Sequence, residues 1–286
     1  MIDIGMDPNI ATIGGLVLSW HGLMTALAVV IAVYFAARLA KSHNLTADNV
    51  YSVAFWAVPG GIVGARLFPV LENLPYYTAN PAKMFAVWEG GVSLYGAIIG
   101  GTIVGIVAAR LQHISVPRLL DVSAPALILA QAIGRIGCTI NGDAWGTPTS
   151  LPWGFVYTHP NAATTTILFD ARHPAPVYEI FWDVLVLGMI WVYRKKPRPQ
   201  GAIFLFYFSL YSVGRFAISW VRGEEAILGP FHQAHIISLI SLAICVPLLL
   251  YMSFKKRPAG AETIAPTNAE RPSAQKSEDP GASGDA

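Results

Sequence analysis

The sequence predicts an all-α, polytopic integral membrane protein with about seven transmembrane helices, and three observations carry that expectation. The 286-residue chain is 54% hydrophobic and 13% charged, against about 25% charged in an average soluble domain. One soluble core of this size cannot hide so much apolar side chain, whereas lipid can. Uncharged runs then reach spanning length at Leu16–Ala37, Val92–Ala109 and Ala234–Phe254, since roughly 18–20 residues cross a bilayer. Finally, the basic residues alternate between loops with a strong bias to one side, as topology requires.

The remaining spans carry isolated charges: Val50–Leu71 holds Arg66, Leu119–Ile140 holds Asp121 and Arg135, Ala175–Tyr193 holds Glu179 and Asp183, and Gly201–Val221 holds Arg215. One set of loops contains Lys41, Arg110, Arg118, Arg194, Lys195, Lys196, Arg198, Lys255, Lys256 and Arg257, and the opposite set contains Lys83, Arg172 and Arg222. The basic-rich set is expected in the cytoplasm, with the amino terminus outside and the carboxyl terminus inside. Residues 1–257 then form the membrane domain. The tail 258–286, rich in Pro, Ala, Glu and Ser with no apolar period, is expected to be disordered in the cytoplasm. The amino terminus lacks a basic region before its first apolar run, so it does not read as a cleaved signal peptide. Cys138 and Cys245 are far apart in this topology, so neither a disulfide nor a metal-ligand set is expected. The basic residues sit in short clusters beside apolar runs, which gives no nucleic-acid surface.

A charge within a span costs on the order of 2.5–3.5 kcal/mol on insertion scales, so each needs a reason. In the expected topology Arg66, Arg135, Glu179 and Arg215 all fall in the outer halves of their helices, which suggests one polar cavity opening outward. The alternative is snorkelling, with the charged head reaching the interface; for Arg66 both readings stay open. Asp121, near the cytoplasmic end of its helix, reads as a helix-start or packing residue. Asp183 lies one turn deeper than Glu179, where pairing with an arginine is one of two open readings.

Segment 134–146, GRIGCTINGDAWG, ends a helix in glycines with Arg135, Asn141 and Asp143. Glycine lets backbone N–H groups turn toward an anion, and arginine offers a fork suited to phosphate oxygens. The plain alternative is a helix cap, with Asn141-Gly142 as a turn. Arg215, Ser219 and Arg222 share one helix face by spacing. Tyr95 follows a glycine-rich stretch, and His21 stands in an otherwise apolar first helix as a candidate base or as a packed, hydrogen-bonded histidine.

In this order these pieces resemble the prolipoprotein diacylglyceryl transferase family, from about Leu16 to Phe254. The resemblance rests on segment 134–146, the glycine-rich stretch 89–101, segment 173–179 and the Arg215 helix. It implies transfer of diacylglycerol from phosphatidylglycerol to the lipobox cysteine thiol of a prolipoprotein, releasing glycerol phosphate, in the bacterial inner membrane and without a cofactor or metal. On that basis Arg135, Arg215, His21 and Tyr95 are expected to be catalytic. Arg135, Asn141, Gly142, Asp143, Gly146, Arg66, Glu179 and Arg222 are expected to bind phosphatidylglycerol. The chain departs from the family pattern at Cys138 (usually Asn), Asp143 (usually Glu), Ser219 (commonly Glu), His21 (often Tyr) and Tyr95 (His in some members). His21 and Tyr95 are therefore expected to form one polar contact. The other readings are a transporter, whose charges would line a path at several depths, and a membrane protein that binds lipid without turnover.

Overall fold

A computed structural model describes residues 1–14, 16–86, 90–163, 168–223 and 226–254. Seven of its helices are long and apolar enough to cross a membrane: α1 (Trp20–Leu39, extended to His43 by a 3₁₀ turn), α2 (Ala47–Glu72), α4 (Leu94–Leu111), α5 (Val116–Asn141), α6 (Ala175–Tyr193), α7 (Ala202–Ser219) and α8 (Gln233–Phe254). A short α3 (Leu74–Ala79) follows α2. The predicted spans and the observed helices agree closely, except at the first.

There, residues 16–19 are not helical. They form β3 (Leu16–Ser19), which pairs antiparallel with β2 (Asn9–Ile13). Helix α1 starts where the Ser19 hydroxyl accepts a hydrogen bond from the Gly22 N–H at 3.1 Å, the usual N-cap device. A reciprocal Thr46/Asn49 capping box starts α2. Helix α7 is capped from elsewhere in the chain: Asp121 on α5 accepts the backbone N–H groups of Gly201 at 2.7 Å and Phe204 at 3.0 Å. Asp121 is therefore a helix-start residue as expected, but for a helix eighty residues downstream of it.

Helix α5 is the centre of the bundle. It packs against α1, α6 and α7, and Asp121, Val122, Ala124, Ala126 and Ile128 on it are almost fully buried. Val186, Ile190, Ile203 and Tyr207 complete one core cluster with Ala124 and Ile128. Helices α2 and α4 form a separate close pair. A Cβ on Gly100 would stand 2.9 Å from the Gly64 Cα, and one on Gly60 would stand 2.6 Å from Val104 Cγ2. Their backbones meet through glycines, as helices in lipid do when packing rather than water-driven burial holds them. Phe55, Phe181 and Leu111 are at least 69% exposed, and they form the lipid-facing surface that such a bundle requires.

The end of the bundle that begins each odd span carries small strands. β1 (Ile2–Ile4) pairs parallel with β4 (Phe155–Tyr157), which pairs antiparallel with β5 (Ala171–Arg172). β6 (Ala226–Leu228) and β7 (Phe231–His232) form a hairpin before α8. The described residues between α5 and α6 thus form a folded cap, tied down where the Tyr157 hydroxyl donates to the Thr139 carbonyl at 2.9 Å. Burial holds that phenol above its ordinary pKa range. The tail 258–286 and Glu89 lie outside the described residues.

Candidate functional site

Arg135 sits six residues before the end of α5, Glu179 four residues into α6, and Arg215 four residues before the end of α7. At 1.5 Å per residue that places all three roughly 6–9 Å below the cap, at one level. There they meet. The buried Glu179 carboxylate accepts from Arg215 Nη1 at 2.8 Å and from Arg222 Nη1 at 2.9 Å, both on Oε1, while Arg135 Nε is ion-paired with Oε2. Among the described residues, three guanidiniums from α5, α7 and the turn after α7 converge on this one carboxylate, at the end of the bundle next to the cap. That is the electrostatic character of a site for an anion, and planar forks suit phosphate oxygens.

Segment 134–146 builds this site mostly through its backbone. Gly142, at φ 76°, caps α5 by donating to the Cys138 carbonyl at 2.9 Å. The Asn141 carbonyl accepts from Ala163 in the cap. Gly146 donates to the His173 carbonyl at 3.0 Å, and a Cβ there would lie 2.6 Å from that same oxygen. The adjoining Thr147 N–H donates to the Val221 carbonyl, and Gly146 bridges to Arg222. Gly146 is therefore small so that residues 173 and 222 can approach from both sides, which carries Arg222 over Glu179. Gly142 and Gly146 shape the site.

His21 enters from α1. Gly137 lets α1 and α5 touch at this level, because a Cβ on it would stand 3.0 Å from the His21 Cα. His21 Nδ1 lies 3.5 Å from Asp143 Oδ2 and 3.8 Å from Cys138 Sγ, and Arg135 Nη1 lies 3.8 Å from the same sulfur. Cys138 follows Arg135 by three residues and shares its helix face. Spacing along the chain had offered no ligand set for a metal, yet the fold brings a histidine, a cysteine and an aspartate together.

The structure departs from several expectations. Tyr95 is 45% exposed on the first turn of α4, which packs on α2, and it has no polar partner among the described residues. The expected His21–Tyr95 contact is absent, and His21 meets Asp143 and Cys138 instead. Arg66 neither snorkels nor joins the arginine cluster. It is buried, and its guanidinium donates to the carbonyls of Met84 (3.1 Å), Gly90 (2.7 Å), Gly91 (2.8 Å) and Lys83. Four carbonyl partners leave it anchoring the loop between α2 and α4. Ser219 is fully buried, with its hydroxyl turned back on the Arg215 carbonyl. His235 packs among Phe216, Trp220 and Phe231.

The prolipoprotein diacylglyceryl transferase family model matches residues 8–251. Among similar curated proteins, the phosphatidylglycerol–prolipoprotein diacylglyceryl transferase of a Nostoc species is 35% identical over 257 residues, covering 88% of this chain and 91% of the relative. Its namesake in Dehalococcoides mccartyi is 37% identical over 258 residues, covering 90% and 98%. A match over almost the whole of both chains, with arginines from α5 and α7 gathered on one glutamate of α6, places this polytopic membrane protein in the prolipoprotein diacylglyceryl transferase family.

Proposed function

We propose that this chain moves the diacylglyceryl group of phosphatidylglycerol onto the lipobox cysteine thiol of prolipoproteins, forming a thioether and releasing glycerol phosphate. The observation that carries the reading is the arginine cluster on Glu179 at one end of the bundle in a member of this family. The thiol gives up its proton to solvent and its sulfur attacks the lipid carbon that bears the phosphate ester; the C–O bond breaks, and negative charge grows on the departing phosphate. Arg135, Arg215 and Arg222 are pre-aligned where that charge develops, in surroundings of low dielectric, which is where such groups lower a barrier most. Glu179 holds the forks in place and moderates their mutual repulsion. His21 and Asp143 stand beside the site, and Asn141 holds the cap to α5.

The basic-loop asymmetry supports a cytoplasmic (inner) membrane location, with the arginine cluster toward the outer leaflet and the carboxyl terminus inside. A transporter would carry ionisable residues along a path through both halves of the bundle. Among the described residues, the buried carboxylate at the far end, Asp121, is consumed in capping α7.

The test is reconstitution of the purified protein in vesicles containing phosphatidylglycerol with a lipobox peptide. The expected products are a peptide heavier by one diacylglyceryl group and an equal amount of glycerol phosphate. Absence of both, with the protein folded and the peptide inserted, would overturn the reading.

A further inference from the structure

We propose that His21, Cys138 and Asp143 form a binding site for a zinc-class divalent cation whose fourth position takes the thiol of the incoming peptide. The inference rests on the function proposed above for its catalytic part, and on geometry alone for the site. The three donor atoms, one nitrogen, one sulfur and one oxygen, all lie within 4.8 Å of one another. His21 Nδ1 is 3.8 Å from Cys138 Sγ and 3.5 Å from Asp143 Oδ2. With zinc bonds of about 2.3 Å to sulfur and about 2.0–2.2 Å to nitrogen and oxygen, the edges of a tetrahedron come to roughly 3.3–3.6 Å. The two edges from His21 already lie within a few tenths of an ångström of that range, and the Cys138–Asp143 edge, within 4.8 Å, closes with a shift of at most about 1.2 Å by the partly exposed Asp143 side chain.

Charge favours the same assignment. A cysteine thiolate and an aspartate balance a divalent ion, so the filled site places no net charge beside the Arg135 guanidinium. The donor set is mixed and partly soft, which selects zinc or cobalt over magnesium or calcium. Cys138 is buried, while the side chains of His21 and Asp143 are 39% and 34% exposed, so the open position faces the cap. Three protein ligands and one open position are the pattern of a catalytic rather than a structural zinc.

The chemistry of that position is thiol activation, because a thiol coordinated to zinc is deprotonated outright. The peptide S–H loses its proton to water and the sulfur stays on the ion. The sulfur then attacks the lipid carbon, the C–S bond forms as the C–O bond breaks, and the phosphate leaves toward Arg135. The thioether product is a poorer ligand and departs. Arg135 lies 3.8 Å from Cys138 Sγ, so attack and departure would take place side by side.

The experiment uses the full chain in detergent with a phosphine reductant. Metal content after dialysis against zinc and removal of free ion is expected at one equivalent, falling at least tenfold in Cys138→Ser and Asp143→Asn. Cobalt bound to the unaltered protein is expected to give a thiolate charge-transfer band in the near ultraviolet, shifting when lipobox peptide is added; this measurement needs no variant to fold. Removal of the metal with a chelator is expected to lower transfer at least tenfold, with recovery on zinc addition. Substoichiometric metal, or no thiolate band, would overturn the site. A bound metal whose removal leaves transfer unchanged would overturn its catalytic role. One equivalent of metal with the thiolate band, but no transfer under any condition, would sustain the site and refute the transferase reading instead.

Discussion

Replacing Glu179 with Gln tests the arginine cluster most directly. The carboxylate accepts from Arg215 at 2.8 Å and Arg222 at 2.9 Å and is ion-paired with Arg135. Glutamine keeps the shape and one carbonyl acceptor but turns the other oxygen into an N–H₂ group that faces Arg135. Removing one partner from a buried charge pair costs about 3–5 kcal/mol, because the remaining charge is left uncompensated. Three cations would lose their shared anion here, but each guanidinium is 11–24% exposed and keeps some contact with water. The lower end, about 3 kcal/mol, is therefore expected. At roughly 2–4 °C per kcal/mol for a chain of this size, the thermal unfolding midpoint in detergent should fall by about 6–12 °C. Transfer should fall by about 100-fold even below that temperature, since a misplacement of about 1 Å carries that penalty. Glu179→Asp keeps the charge on a shorter arm and should lose less of both. If Glu179→Gln melts within 2 °C of the parent, on the same scale as above, and transfers at a comparable rate, Glu179 is not what holds the arginines and the site has been misread.

Arg135→Lys should insert normally yet lose transfer by at least about 100-fold, because lysine keeps the charge without the fork; kinetics in vesicles would show it. Arg66→Lys should lower the unfolding midpoint by several degrees, through loss of the fourfold carbonyl anchor, while the initial rate at low temperature stays within about threefold. Gly100→Val should separate α2 from α4, because its Cβ would meet the Gly64 Cα at 2.9 Å; reduced yield of folded protein is expected, and normal yield would refute the close packing. Asp121→Ala should destabilise by about 2 kcal/mol, at the upper end for a lost helix cap, with the fraying of α7 visible as faster hydrogen exchange near Gly201.

The spans were legible in the sequence because lipid imposes a local rule: about 20 apolar residues must follow one another, and hydropathy reads that directly. Arg135, Glu179 and Arg215 were legible as a group for a related reason. Charges are so costly in a span that their depths, counted along each helix, already suggested one shared cavity. Depth along a helix says nothing, however, about the direction a side chain faces. Arg66 lies toward the same end of the bundle as well, but it turns toward the loop after α3 and finds four carbonyls there. Tyr95 and His21 share a level and not a neighbourhood, because α4 pairs with α2 while α1 pairs with α5. The extended start at residues 16–19 was hidden because apolar strand and apolar helix look alike over four residues. Asp121 capping α7 and Cys138 beside His21 and Asp143 depend on contacts between segments far apart in the chain. Hydropathy determines what enters the membrane, while the packing of one helix against another decides which polar groups meet there.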